Sequence, residues 1–145
     1  MNLEQIQEEW ENDCRIDDNH LGEASTHTPN LHAKYLKLLV SVRLRLTKTR
    51  ADYNLLRKNK FKYYRGELSR EELSSLGWEP WQFNKPLKNE MDEFLQGDKD
   101  LIDLNARVEY LETMYYTLES ILNQLKARDW QLKNAITWKQ FLSGM

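Results

Sequence analysis

The feature that most constrains the fold is a long seam of apolar residues in the C-terminal third of the chain. Its members alternate in spacing between three and four residues over eight positions: Leu101, Leu104, Val108, Leu111, Tyr115, Leu118, Leu122 and Leu125. Apolar residues that recur about every 3.5 positions place one face of a helix against another helix. The seam therefore predicts a long helix that is packed along its length, with Asp98 as its N-cap.

A second seam of the same kind predicts another long helix over residues 28–65. Thr28 and Pro29 indicate its start, because threonine caps helices and proline is tolerated at the first helical position. Beyond Pro29 no glycine or proline occurs until Gly66. The seam consists of Tyr35, Leu39, Val42, Leu46, Thr49, Tyr53, Leu56, Lys60 and Tyr63. The charge of Lys60 predicts that the last two turns leave the packed region.

The composition favours the same fold class. The chain has 145 residues but only five glycines and three prolines, which are too few turn formers for a β-sandwich, a barrel or a glycine-rich nucleotide fold. We expect an all-α fold in which two long heptad-bearing helices form a hairpin with short flanking helices. Two seamed helices make a thin core, so the remaining apolar surface predicts a homo-oligomer.

We expect residues 1–145 to form a single helical domain with four parts. Residues 1–27 are an acidic N-terminal arm, with a short helix at 3–13 and a polar connector at 14–27. Residues 28–65 are the long basic helix. Residues 66–97 contain a short helix between the Ser69 capping box and Gly77, a Trp-rich turn and another short helix at 87–96. Residues 98–145 contain the second long helix and a separate final helix at about 130–141.

Charge is distributed very unevenly along a chain whose net charge is only -2. Residues 1–30 carry eight acids and one base, residues 31–65 carry one acid and eleven bases, and residues 66–145 carry fourteen acids and nine bases. Such a basic block is typical of a surface that binds a polyanion. The alternative is a solvated helix face whose charge is offset by the acidic N-terminus of the same or a neighbouring subunit.

The end of the basic block combines the two residue types that single-stranded nucleic acid requires. Cations bind phosphates, and aromatic rings stack on the bases. The candidate DNA-binding residues are Arg57, Lys58, Lys60, Lys62, Tyr63, Tyr64 and Arg65, together with Arg43 and Arg50, which lie on one stripe with Arg57. The alternative is that Tyr53, Phe61 and Tyr63 belong to the core and the bases only keep the helix soluble.

The sequence lacks the patterns of common catalytic and cofactor sites. It contains neither G-x-x-x-x-G-K-[ST] nor G-x-G-x-x-G. His20, His27 and His32 lack the tight spacing of metal ligands and are interpreted as surface residues. Cys14, the single cysteine, would need a positioned base to act as a nucleophile, so it is interpreted as a buried or inert thiol. We therefore predict no enzymatic activity, no cofactor and no metal.

Three further features of the sequence carry expectations of their own. Acidic residues at 98, 100 and 103 fit the dipole at a helix start better than a carboxylate site. The turn that contains Trp78, Trp81 and Phe83 either docks a partner or covers the protein's own core. The acidic start of the chain does not resemble a signal peptide, and no apolar stretch is long enough to span a bilayer, so an intracellular protein is expected.

Short sequence motifs along most of the chain resemble those of a known family. They are Leu3-Glu4, Gln7-Glu8-Glu9, Asp13, Ile16-Asp17 and Leu21, then Leu31, Lys34 and Leu36, and at the C-terminus Ala127-Arg128, Lys133 and Phe141-Leu142-Ser143-Gly144. Lys58-Asn59-Lys60 is similar to the family's Lys-x-Arg element, and Tyr63-Tyr64 follows it. On these residues the chain resembles the UvsY-type recombination mediator proteins of T4-like bacteriophages.

The resemblance implies a helical protein that assembles into a closed ring, a hexamer or heptamer, and binds single-stranded DNA without sequence preference. It implies contacts with the phage recombinase and the phage single-stranded-DNA-binding protein, in the cytoplasm of the infected bacterial host. The implied role is to load recombinase onto coated strands in homologous recombination, repair and recombination-dependent replication. A structural or assembly coiled-coil protein of the virion chaperone type, without nucleic-acid binding, is the alternative.

The resemblance also implies roles for particular residues. The Lys-x-Arg element is associated with DNA and partner affinity, which points to Lys58 and Lys60. The C-terminal helix is associated with self-assembly, and the corresponding residues are Trp130, Leu132, Ile136 and Phe141.

Overall fold

The computed structural model describes residues 1–144, in which every regular secondary-structure element is an α-helix. The elements are α1 (Leu3–Asp13), α2 (Leu21–Tyr64), α3 (Arg70–Leu76), α4 (Met91–Gln96) and α5 (Lys99–Leu142). The helices α2 and α5 have 44 residues each and pack as an antiparallel hairpin. The all-α fold with two long paired helices is therefore confirmed. Within residues 1–144, no helix is both long enough and apolar enough to cross a membrane.

The predicted start of the first long helix at Thr28 is wrong, because α2 begins seven residues earlier, at Leu21. The three-and-four spacing of the seam continues backwards from Tyr35 through Leu31 to a buried Leu21. Pro29 therefore lies inside the helix on an exposed position, where its missing N–H costs one backbone hydrogen bond. Thr28 is not a cap, and its hydroxyl donates to the Ala24 carbonyl at 3.2 Å.

The predicted break before a separate final helix is also wrong, because α5 runs without interruption from Lys99 to Leu142. Arg128 continues the buried seam between Leu125 and Leu132, with only 4% of its surface exposed. Its guanidinium donates to the backbone carbonyls of Asp13 at 3.3 Å and Ala24 at 3.5 Å. Hydrogen bonds to these carbonyls allow a cation at a buried position.

One compact unit of the chain consists of Met1–Arg45 and Leu111–Met145. In this unit α1 packs on the first half of α2, with Ile6 fully buried and the rings of Trp10 and Tyr35 in edge contact at 5.5 Å. Asp13 accepts hydrogen bonds from the Tyr35 hydroxyl at 2.8 Å and from Lys34 at 2.7 Å. Part of the acidic N-terminal charge is thus neutralised within the subunit.

The other compact unit consists of Leu46–Tyr110 and contains the end of α2, the helices α3 and α4 and the start of α5. Its core is built around four buried residues, Tyr64, Met91, Leu95 and Leu101. The predicted short helix after the capping box is confirmed: the Ser69 hydroxyl accepts from the Glu72 amide, and Gly77 ends α3 in the left-handed conformation. The predicted helix at 87–96 is shorter than expected, as α4 begins at Met91.

The Trp-rich turn covers the core of this second unit. Trp81 packs against the buried cluster, and its ring lies 4.9 Å from that of Tyr64 in edge contact. Trp78 meets the Tyr63 ring at 5.3 Å. Phe83 lies against Trp81 and leaves 73% of its surface exposed. Of the two interpretations of this turn, the structure supports the one in which it covers the protein's own core.

Candidate nucleic-acid interface

The basic end of α2 lies in the second unit and presents its cations on two sides of the helix. Lys58, Lys62 and Arg65 are spaced by four and three residues, so they share one face of α2. Lys58 is exposed and Lys62 is half-buried. Neither forms an ion pair with any residue in the part of the chain that the structure describes. Two of the three cations on this face are therefore without an ion-pair partner among residues 1–144.

Arg65 on this face and the neighbouring Arg57 each have an exposed acidic partner. Arg57 approaches the Asp92 carboxylate at 3.8 Å, and Arg65 contacts the Glu67 carboxylate at 3.0 Å. Each of the four side chains is roughly half exposed or more. Ion pairs exposed to this degree contribute about 0–1 kcal/mol, so a phosphate can replace the carboxylate at little cost.

Lys60 lies in the interior of the second unit, although it belongs to the same basic stretch. Only 7% of its surface is exposed. Its ammonium group lies 2.8 Å from Asp100, 3.3 Å from Asp98 and 4.3 Å from the centre of the Trp78 ring. The expectation that a charge at this position takes the end of α2 out of the packed region is therefore wrong. Two carboxylates and an indole face compensate the buried charge.

The two tyrosines that follow are also part of the core. Tyr64 is buried and its hydroxyl donates to Asp98 at 2.6 Å. The half-buried Tyr63 donates to the Glu79 carbonyl at 2.6 Å and contacts the rings of Trp78 and Trp81. In this fold the rings of both tyrosines pack within the protein. Their predicted stacking on DNA bases stays a prediction, and so does the predicted phosphate contact of Lys60.

Asp98 is the centre of the polar network in this unit. Its carboxylate caps α5 by accepting from the Leu101 amide at 3.1 Å, and it also receives the Tyr64 hydroxyl and the Lys60 ammonium. Burial raises the pKa of Asp98, but these hydrogen bonds and the lysine charge outweigh it, so the pKa lies below the ordinary value of 3.8. Burial and the hydrogen bond to Asp98 raise the pKa of Tyr64.

The remaining predicted DNA-binding residues lie farther back along α2. Arg43 belongs to the first unit and Arg50 to the second, and both are exposed. Each also contacts other residues of the chain. The structure brings Arg57, Lys58, Lys62 and Arg65 together at the end of α2.

Sequence reasoning missed two lysines of the second unit, Lys85 and Lys88, which lie between α3 and α4. Lys85 lies over Gly66, where an added Cβ would stand 3.1 Å from the lysine Cε. A glycine with φ of 69° at this position lets the chain turn and the lysine approach the end of α2. Isolated lysines in a loop form no periodic pattern, so no signal in the sequence singled them out.

The predicted assembly residues divide into two groups. Leu132 is 2% exposed and belongs to the core of the first unit. Trp130, Ile136 and Phe141 are exposed, with 66% of Trp130 and 69% of Phe141 accessible. Trp138 and Leu142 are similarly accessible and were not singled out from the sequence. The rings of Trp138 and Phe141 stack at 5.5 Å, which leaves a compact aromatic surface near the end of α5.

Comparison with known proteins identifies the family. A family model described as "Recombination, repair and ssDNA binding protein UvsY" matches residues 9–145. The chain belongs to the UvsY family. The family model thus identifies it as a recombination, repair and single-stranded-DNA-binding protein. This result favours the mediator interpretation over a coiled-coil protein without nucleic-acid binding.

Individual relatives agree with this assignment. The chain is 25% identical over 144 residues to the recombination protein uvsY of Enterobacteria phage T4, and the match covers 99% of each protein. Two crystal structures of the bacteriophage T4 recombination mediator protein UvsY share the fold. One has a TM-score of 0.85 at 23% identity, covering 99% of this chain and 98% of that one. The other has a TM-score of 0.81 at 22% identity, covering 97% and 98%.

Proposed function

We propose that this UvsY-family protein binds single-stranded DNA through the basic end of α2 and loads the phage recombinase onto strands coated by the phage single-stranded-DNA-binding protein. The residues that contact phosphate are Arg57, Lys58, Lys62 and Arg65. Lys60 has a different role in this proposal: it holds the start of α5 and the Trp-rich turn against the end of α2. The observation that supports the proposal is the row of cations on α2 whose acidic partners are weak or absent among residues 1–144.

The proposed mechanism depends on several subunits acting together. Four cations on one subunit bind a strand weakly at physiological salt. In a homo-oligomeric ring of six or seven subunits, the second and later contacts form at a high effective concentration, so the strand wraps around the assembly. Wrapping loosens the pre-bound protein and presents the strand to the recombinase. The exposed aromatic residues Trp130, Trp138 and Phe141 support the proposed self-association.

Fluorescence anisotropy of a labelled single-stranded oligonucleotide, titrated at several salt concentrations, tests the DNA-binding part. We expect sequence-indifferent binding whose affinity falls steeply with salt, and weaker binding to a duplex of the same length. The loading part is tested by following recombinase assembly on a strand coated with the binding protein. Assembly that proceeds at the same rate with and without this protein contradicts the mediator role.

A further inference from the structure

The basic end of α2 borders two adjoining cavities that share one aromatic side chain, Phe61. One cavity, of about 410 Å³, is lined on the α2 side by Arg57, Lys58 and Lys62. The other, of about 380 Å³, is lined by Arg65 at the end of α2 and by the loop lysines Lys85 and Lys88. Both volumes are in the range of small-ligand pockets. Phe61 and Glu67 line both cavities, which together are called the groove below.

The charge of this groove suits a polyanion. Six cations line it, whereas Glu67 is the carboxylate that lines both cavities. Glu67 is already paired with Arg65 at 3.0 Å. Lys85 and Lys88 have no ion-pair partner among residues 1–144. The loop therefore adds two cations to Arg65 in one cavity, whereas the other cations of α2 line the second cavity.

Phe61 is an aromatic residue near the end of α2 that does not belong to the core cluster of its unit. Tyr63, Tyr64, Trp78 and Trp81 contact one another in the interior of the unit, whereas 37% of Phe61 is exposed. Its ring contacts the Arg65 guanidinium, which lies 5.4 Å from the ring centre. Phe83 is more exposed but packs on Trp81 and lines neither cavity. An accessible ring flanked by cations is the arrangement that binds unpaired bases.

We propose that this groove is a nucleotide subsite, in which a base of single-stranded DNA stacks on Phe61 and the adjoining phosphates are bound by α2 on one side and by Lys85 and Lys88 on the other. The subsite rests on the proposed strand binding and adds its base-contacting residue. Arg65, which already covers part of the ring, holds the base from its edge or the phosphate next to it. A duplex hides the faces of its bases, so the subsite favours single strands.

The decisive experiment compares a thymidine oligonucleotide with a strand of the same length in which abasic sites replace the bases. Both strands carry the same phosphates, and only the first can stack. We expect Phe61→Ala to weaken binding of the thymidine strand by about tenfold and to leave binding of the abasic strand unchanged. Phe61→Trp keeps a ring and should retain affinity, whereas Phe61→Leu keeps apolar bulk alone and should behave like Phe61→Ala.

Phe83→Ala is the matched control, because it removes an exposed phenylalanine of the same unit that does not line the groove. The double variant Lys85→Ala/Lys88→Ala should lower the log–log salt slope on both strands, by about 0.7 for each phosphate that the variant no longer binds. Lys126→Ala, in the first unit, is the control for the loss of a lysine outside the groove. Circular dichroism of each variant checks that the helices are intact.

The outcomes separate the subsite from the function on which it rests. Equal weakening of both strands by Phe61→Ala, or no weakening of either, overturns the stacking role. A salt slope that responds to Lys85→Ala/Lys88→Ala no more than to Lys126→Ala overturns the role of the loop. Absence of salt-dependent binding by the unmodified protein contradicts the proposed function itself.

Discussion

Lys60 and Asp98 form an ion pair of 3.3 Å between two side chains that are 9% and 4% exposed. The pair joins the end of α2 to the cap of α5, and Trp78 covers its cationic member. Lys60, which the sequence analysis placed among the candidate DNA-binding residues, is thus buried and paired inside its unit. Lys58, two residues earlier, is exposed.

Replacing Lys60 by Ala should destabilise the protein by about 3 kcal/mol, because it leaves the Asp98 carboxylate buried without its cation. Urea denaturation followed by circular dichroism measures the change. Lys58→Ala removes an exposed cation two residues away and should change the free energy of unfolding by less than about 0.5 kcal/mol. Equal stabilities of the two variants would contradict the assigned role of Lys60.

Replacing Lys58 and Lys62 together by Ala should weaken strand binding uniformly across sequences. The log–log salt slope should fall by about 0.7 for each phosphate that is no longer bound, because fewer counterions are released on binding. Anisotropy titrations at several salt concentrations give the slope. Lys126→Ala, which removes an exposed lysine of the first unit, is the control. An unchanged slope would remove these two residues from the interface.

The free energy of unfolding should decrease in acid, because the Asp98 carboxylate becomes protonated. Because its pKa in the folded protein lies below 3.8, its contribution is fully present above that pH and is lost as the pH falls through the folded pKa. Asp98→Asn should therefore lower stability near neutral pH and flatten the loss of stability below about pH 4. Urea midpoints measured from pH 7 to pH 3 test this. Glu119→Gln, at an exposed position of α5, should leave the pH profile of the unmodified protein in place.

Substitutions near the end of α5 should distinguish residues that are needed for assembly from residues that are needed for folding. Trp138→Ala combined with Phe141→Ala removes an exposed aromatic surface, so we expect smaller oligomers with unchanged helix content. Leu132→Ala opens a cavity in the core of the first unit and should cost about 2–5 kcal/mol of stability. Sedimentation velocity and thermal unfolding distinguish the two effects. Full-size oligomers from the aromatic double variant would place the subunit interface elsewhere.

Local patterns were sufficient for much of the secondary structure. The seam from Leu101 to Leu125 predicted α5 and its buried face, and Ser69 with Gly77 predicted both ends of α3. These features can be predicted from the sequence because they depend on residue spacing and capping within one segment. The start of α2 and the continuity of α5 were not predicted, because they depend on the burial of Leu21 and Arg128 in the folded protein.

The same distinction between local sequence pattern and tertiary packing applies to the candidate site. The sequence by itself determined that cations and aromatic rings are concentrated at residues 57–65, because composition and helical spacing are local properties. Only the tertiary structure decided which of them face solvent. It buries Lys60 and Tyr64 against Asp98, leaves Phe61 accessible and brings Lys85 to the end of α2. Burial and pairing depend on residues far away in the chain, and no pattern within residues 57–65 reveals them.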